Sequence, residues 1–329
     1  MLKIFRTNHL VSGFLLIFYA ALIRSAVFIL HPIEAVPDNS GVLSQLLYQF
    51  TQTNGWVPDL ISLGIIFINA LIINYLVAQN FLAQEINLFP GLFYIIVASC
   101  VPDFLGLSAL HLANTFLIIG CFSIFEIYNK PSPAKYIFNA GLLIGISTLF
   151  NLSYGVFFVW VLIAINTLQT LKFKNFFVAL SGFALPWIYT FLYYYWNGIL
   201  GVLMENHLQN QFKFLTFGSG IKFFDFIPMS ILILLGIVVL TGYNNHILKK
   251  KFEIKKKISL IYWMFFFGLL FLLTGTAALP EQLIVFTVPV GILLSLSFTK
   301  MTPPFDGLYH ILLLFIVMLM HYLTLLGVI

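Results

Sequence analysis

From end to end the chain alternates long apolar runs with short polar breaks. Windows long enough to cross a hydrocarbon core of roughly 30 Å mark about eleven hydrophobic segments. They lie near 10–30, 57–78, 87–101, 106–126, 137–150, 155–170, 176–196, 226–242, 258–276, 282–298 and 306–328. The expected fold is all-α, a polytopic transmembrane helical bundle. Segments 87–101, 137–150 and 155–170 are short for a full crossing, and short helices of this kind sit inside a bundle beside a cavity. Between the first two segments, GVLSQLLYQFTQTN (41–54) places Leu43, Leu46, Leu47 and Phe50 at helical spacing, which predicts a helix lying in an interface plane.

Charge adds an orientation. With the N-terminus in the cytoplasm and alternating spans, the cytoplasmic segments hold Lys3, Arg6, Lys130, Lys135, Lys172, Lys174, six lysines between Lys249 and Lys257, and Lys300, which is 13 of the 16 basic residues. Reversal would put the 249–257 cluster outside, against the positive-inside rule. Seven of the eleven acids then lie outside: Glu34, Asp38, Asp59, Asp103, Glu205, Asp225 and Glu281. Two regions follow. Residues 1–200 form a transmembrane module with a first outer loop at 31–56. Residues 201–329 form C-terminal helices with an outer segment at 197–225 and a basic cytoplasmic loop at 243–257.

Composition agrees with the pattern. Hydrophobic residues make up 61% of the chain and charged ones 8%, with a mean hydropathy of +1.02. The net charge of +5 therefore reports topology and not nucleic-acid affinity. Lys3 and Arg6 precede an apolar run with no small-residue cleavage site, so the run reads as a retained first helix. Cys100 and Cys121 lie in apolar segments and read as small packing residues.

Few polar residues remain to carry chemistry. Arg24 sits about six residues, roughly 9 Å, from the outer end of the first span. A long side chain can snorkel that distance, or face the bundle and offer its planar fork to a phosphate or carboxylate. Glu34 and Asp38 follow in HPIEAVPDNS (31–40). An acid there can act as general base or hold a divalent cation; Asp38 can equally cap the helix after 41, whereas Glu34 has no capping position. Asp103, in SCVPDFLGL, reads as a cap for the next helix or as a site group. His111 reads as a packing histidine or a wall of the same cavity. Lys213 and Lys222 lie in the second outer segment. Glu281, after Pro280, suits a helix start, and Asn151 and Tyr154 lie between two short spans.

No HExxH or HxxxH spacing links the seven histidines, and His310 and His321, eleven apart, read as packing. No resident cofactor is expected, apart from a divalent cation at the outer-loop acids. Nothing supports nucleotide hydrolysis or serine-hydrolase chemistry.

The order of these features resembles a known module. FPGLFYIIVASCVPDFLGLSALHLANTFLIIGCFSIFEIY and FNAGLLIGISTLFNLSYGVFFVWVLIAI follow an acidic outer loop. Over roughly residues 1–200 this is similar to the multi-spanning glycosyltransferases that use polyprenyl-phosphate-linked sugars. The resemblance implies that Glu34 or Asp38 is the catalytic base or metal ligand. It also implies that Arg24, with Lys213 or Lys222, steadies the leaving phosphate. The chain departs from the pattern, since such enzymes commonly carry closely paired acids and these two are four apart. The basic start FRTNH (5–9) also resembles a family of bacterial inner-membrane proteins of similar length. Some of its members carry an oxygenase label, which the scattered histidines here do not fit. The expectation is a multi-pass inner-membrane protein in contact with membrane lipids, transferring a sugar or related group from a polyprenyl-phosphate carrier. The alternatives are a non-catalytic subunit of an envelope assembly that binds a lipid carrier or membrane protein partners, and, third, a transporter.

Overall fold

The computed structural model describes residues 2–7, 9–30, 41–51, 56–170, 172–208, 226–248, 250–274, 279–302 and 304–326. All regular structure among them is helical. A short α1 (Leu2–Phe5) precedes the first span, which Arg24 divides into α2 (Leu10–Ile23) and α3 (Ser25–Leu30). Then come α4 (Val42–Thr51), α5 (Val57–Gln79), α6 (Phe89–Val97), α7 (Ala109–Phe125), α8 (Ala134–Phe150), α9 (Val156–Leu168) and α10 (Phe173–Trp196). The rest comprises α11 (Leu200–Val202), α12 (Phe226–Thr241), α13 (Tyr243–Ile247), α14 (Phe252–Thr274), α15 (Leu279–Gln282), α16 (Thr287–Phe298) and α17 (Phe305–Leu325).

Each of the eleven apolar segments contains helix. Among the described residues, five helices are long and apolar enough to cross a membrane by length and composition: Val57–Gln79, Phe173–Trp196, Phe252–Thr274, Pro280–Phe298 and Phe305–Thr324. Segment 87–101 behaves differently, because α6 has nine helical residues, about 14 Å at 1.5 Å per residue. All nine are buried. Pro102 then forces a 3₁₀ turn at Pro102–Phe104, so this segment continues as irregular backbone inside the protein.

Contacts sort the turns into two ends. At one, Leu88 N–H donates to Phe5 O at 2.9 Å and Arg6 pairs with Asp306 at 4.0 Å. Lys250 Nζ reaches Leu82 O at 2.9 Å, and Gln169 reaches Lys130 O at 2.7 Å. This is the basic end. At the opposite, acid-bearing end, Ser108 Oγ donates to Glu281 at 2.6 Å and Ser153 Oγ to Thr274 O at 2.7 Å.

The α8–α10 pair shows how helices associate without a hydrophobic drive between them. In lipid, close approach of backbones over small residues supplies the attraction. Gly141 and Gly145 on α8 face the α10 backbone at Ala179 and Phe183, and Gly182 on α10 faces Phe138 and Leu142 on α8. Any Cβ at these positions would enter the partner's main chain.

The amphipathic stretch appears as α4. It turns Gly41, Val42, Ser44 and Tyr48 inward, and leaves Leu46 exposed with Leu43 and Leu47 half-buried. Leu43 and Leu47 pack against the edge of the core, Leu46 faces outward, and the small and polar face of α4 fits the backbone at the end of α8, where Gly41 abuts Phe150.

Gly145→Leu is expected to lower stability in detergent by about 1–3 kcal/mol or more through overpacking. Gly64→Leu, which meets open space, should change it little. Thermal unfolding of the two purified variants checks this.

Candidate functional site

The acid-bearing end is built around the break in the chain between α6 and α7. Residues 98–108 leave the helix, so their carbonyls lose their intrahelical partners. Inside a membrane such groups must be satisfied by protein. Four helices supply the donors. Arg24 Nη2, at the α2–α3 junction, donates to Phe104 O at 3.2 Å and also to Leu105 O. The same nitrogen donates to Ser62 Oγ of α5 at 2.9 Å, and Ser62 Oγ donates in turn to Gly106 O at 3.0 Å. His111 Nε2 of α7 reaches Phe104 O at 3.0 Å. His321 of α17 lies between two helix ends, with Nδ1 3.2 Å from Ile23 O where α2 stops and Nε2 beside Ser99 O beyond α6, and its neutral ring donates to one of the two.

The start of α7 is closed in the same way. Its N-cap is Ser108, whose Oγ accepts from Leu110 N–H at 3.1 Å, and Tyr48 OH of α4 accepts from Ala109 N–H at 3.3 Å. Ser108 in turn donates to Glu281 at the start of α15. A polar chain continues inward. Asn69 Nδ2 donates to Tyr94 OH at 3.1 Å and His111 O at 3.2 Å. Tyr154 OH donates to Asn114 Oδ1 at 2.7 Å, and Asn114 Nδ2 to Ile284 O at 2.9 Å.

This geometry places several expected residues and revises some readings. Arg24 is 2% exposed, so it faces the bundle and does not snorkel. Its Nη2 is engaged by the protein's own backbone and Ser62, Nη1 is buried with no hydrogen-bond partner, and Asp59, one turn before Ser62, offsets its charge. Asp103 is not the cap of α7, because Ser108 holds that position. It sits exposed on the 3₁₀ turn that Arg24 and His111 tether. His111 is fully buried and binds that turn. His310 packs against Tyr19 OH at 2.8 Å, as the packing reading has it. Glu34, Asp38, Lys213 and Lys222 lie outside the described residues.

Arg24, Asp103 and His111 thus meet at one turn, and none of them lines the described cleft of about 470 Å³. That cleft is bounded by Phe14 of α2, Phe67, Leu71 and Asn74 of α5, and Asn87 and Leu88 before α6. Among the described residues no group of three or more His, Cys, Asp or Glu is arranged to hold a metal. The network residues Ser62, Asn69 and Asn114 carried no motif. Their signal was an uncharged polar residue inside an apolar run, which costs free energy unless it finds a partner.

Residues 33–328 match the family described as "Family of unknown function (DUF6427)". The chain belongs to that family. No curated protein matches it. Among solved structures, the crystal structure of ArnT from Cupriavidus metallidurans bound to undecaprenyl phosphate is similar, with a TM-score of 0.55 at 14% identity. The match covers 89% of this chain and 57% of that one, so the chain spans little more than half the length of that protein. The likeness is one of fold, and it agrees with the helical membrane fold that the order of segments implies.

Arg24→Met removes the donor for two buried carbonyls and for Ser62. Stability in detergent should fall by about 2–4 kcal/mol. Arg6→Met, which loses a half-exposed pair, should cost at most about 1 kcal/mol. Denaturant unfolding of both variants tests the contrast.

Proposed function

We propose that this DUF6427 protein transfers a sugar or related group from a polyprenyl-phosphate carrier at its acid-bearing end. The observation that carries the reading is the fold shared, over 89% of the chain, with ArnT bound to undecaprenyl phosphate. In this proposal the N-terminus is cytoplasmic, about eleven segments cross the inner membrane, and the acid-bearing end faces outward. Charge segregation supports that orientation.

Transfer breaks the bond between the sugar's anomeric carbon and the carrier phosphate oxygen, and forms a bond from that carbon to an acceptor hydroxyl oxygen. Glu34 or Asp38 takes the hydroxyl proton, and the polyprenyl phosphate leaves as an anion. Lys213 or Lys222 steadies that anion. Arg24 acts at one remove, by fixing the turn that presents Asp103.

A second reading, carrier binding without transfer, is favoured by one observation. Glu34 and Asp38 stand four residues apart, where the enzymes of the resembling module commonly carry closely paired acids. A stoichiometric membrane protein partner recovered in mild detergent would support this reading.

Glu34→Gln is expected to abolish a glycan or lipid modification at the outer surface while protein level stays unchanged. Compositional analysis of the envelope reads the outcome, and normal glycans in that variant would sink the transfer reading.

A further inference from the structure

The basic end holds more positive charge than its acids balance. Residues 243–257 contain six lysines and one acid, Glu253. That acid is already paired, its Oε1 lying 2.6 Å from Lys257 Nζ, and Lys257 also reaches Asn80 Oδ1 at 3.0 Å. Asp306, further along the chain, pairs with Arg6.

Two of the remaining cations are each anchored to a backbone carbonyl in the neighbourhood of His246. Lys250 Nζ donates to Leu82 O, and Lys300 Nζ donates to Asn245 O on α13. Burial lowers the proton affinity of both, and Lys300 lowers that of Lys250 further. The platform beneath them is rigid. His246 bonds Tyr262 OH of α14 at 2.7 Å through Nδ1 and Ser297 Oγ of α16 at 2.8 Å through Nε2. Burial, then Lys300 and Lys250, push its pKa down to about 4, so it is neutral at physiological pH and adds no charge. Beside the lysines, Leu248 and Phe252 are 59% and 68% exposed. Exposed apolar side chains next to cations, at the end of a membrane bundle, belong at the boundary between headgroups and acyl chains.

We propose that Lys250 and Lys300 seat the phosphate of an anionic phospholipid in the leaflet at the basic end, with Leu248 and Phe252 against its acyl chains. Charge complementarity selects the occupant: a clamped pair of ammonium groups with apolar neighbours fits a headgroup phosphate whose tails continue into the bilayer. The site lies at the opposite end from the proposed transfer chemistry and stands whether or not that chemistry is correct.

The full chain, purified in mild detergent and stripped of lipid, would be titrated with phosphatidylglycerol, phosphatidylcholine and inorganic phosphate, with bound lipid read by native mass spectrometry and Tm. Phosphatidylglycerol should bind and raise Tm. The double change Lys250→Gln with Lys300→Gln should weaken it by about thirtyfold, from roughly fivefold per lysine. Lys250→Arg with Lys300→Arg should retain binding, and Lys130→Gln with Lys135→Gln, elsewhere on the basic side, should leave it unchanged. Equal binding of phosphatidylcholine by the unaltered chain overturns the proposal, as does full binding by the glutamine variant. Inorganic phosphate matching the lipid at equal concentration overturns it too, by showing a simple anion site. If the glutamine variant fails to fold, the comparison of the three ligands on the unaltered chain still decides.

Discussion

The structure depends on the satisfaction of backbone carbonyls where helices break inside the bundle. A helix closes its own hydrogen bonds, and in a membrane nothing else nearby will. This chain interrupts α6 after nine residues and returns to helix only at Ala109. The freed carbonyls of Ser99, Phe104, Leu105 and Gly106 are met by His321, Arg24, His111 and Ser62, which come from four separate places in the sequence. The cost of a buried guanidinium is offset because its hydrogen bonds go to groups that would otherwise be unsatisfied. One break therefore ties the α2–α3 junction, α5, α7 and α17 together.

The same requirement explains the other irregular segments. The 3₁₀ turns at Leu152–Gly155 and Leu283–Phe286 lie beside Asn114, which accepts from Tyr154 and donates to Ile284 O. Where helices are unbroken, a second packing device is added. The glycines of α8 and α10 bring two backbones into close approach, and Trp187 Nε1 donates to Thr148 Oγ1 across the same pair at 2.7 Å. The bundle thus uses side-chain donors throughout, and adds close backbone approach over glycine where α8 meets α10.

Much of the helical layout was legible in the sequence, because hydrophobic length is a strong constraint and each apolar segment contains helix. The amphipathic stretch at 41–54 was also legible as a helix, with Leu43 and Leu47 against the core, although Leu46 is exposed and Ser44 and Tyr48 take the most buried positions. What local pattern could not show was pairing at a distance. Asp103 followed a proline and preceded an apolar run, so it looked like a cap. The actual cap, Ser108, stands five residues later, because the intervening backbone is held by Arg24 and His111 from other helices. Arg24 could be read as snorkelling or inward-facing, since its carbonyl partners lie 80 and 81 residues away in the chain. Asn69 and Asn114 left no motif because their partners, too, come from elsewhere in the chain.

These constraints sharpen the meaning of a shared fold at 14% identity. A fold hosts many chemistries, and function is argued from the site. What this bundle brings to its acid-bearing end is rigidity. The turn carrying Asp103 is tethered on its inner side by Arg24, Ser62 and His111, while Tyr48 of α4 and Ser108 close the helix that follows. Lipid chemistry at a membrane face needs an exposed polar group held still against a mobile substrate, and binding geometry loses most when its support is loose. Arg24 supplies that support from within the bundle. In this arrangement the buried cation governs where the exposed acid stands, and the two act as one structural unit.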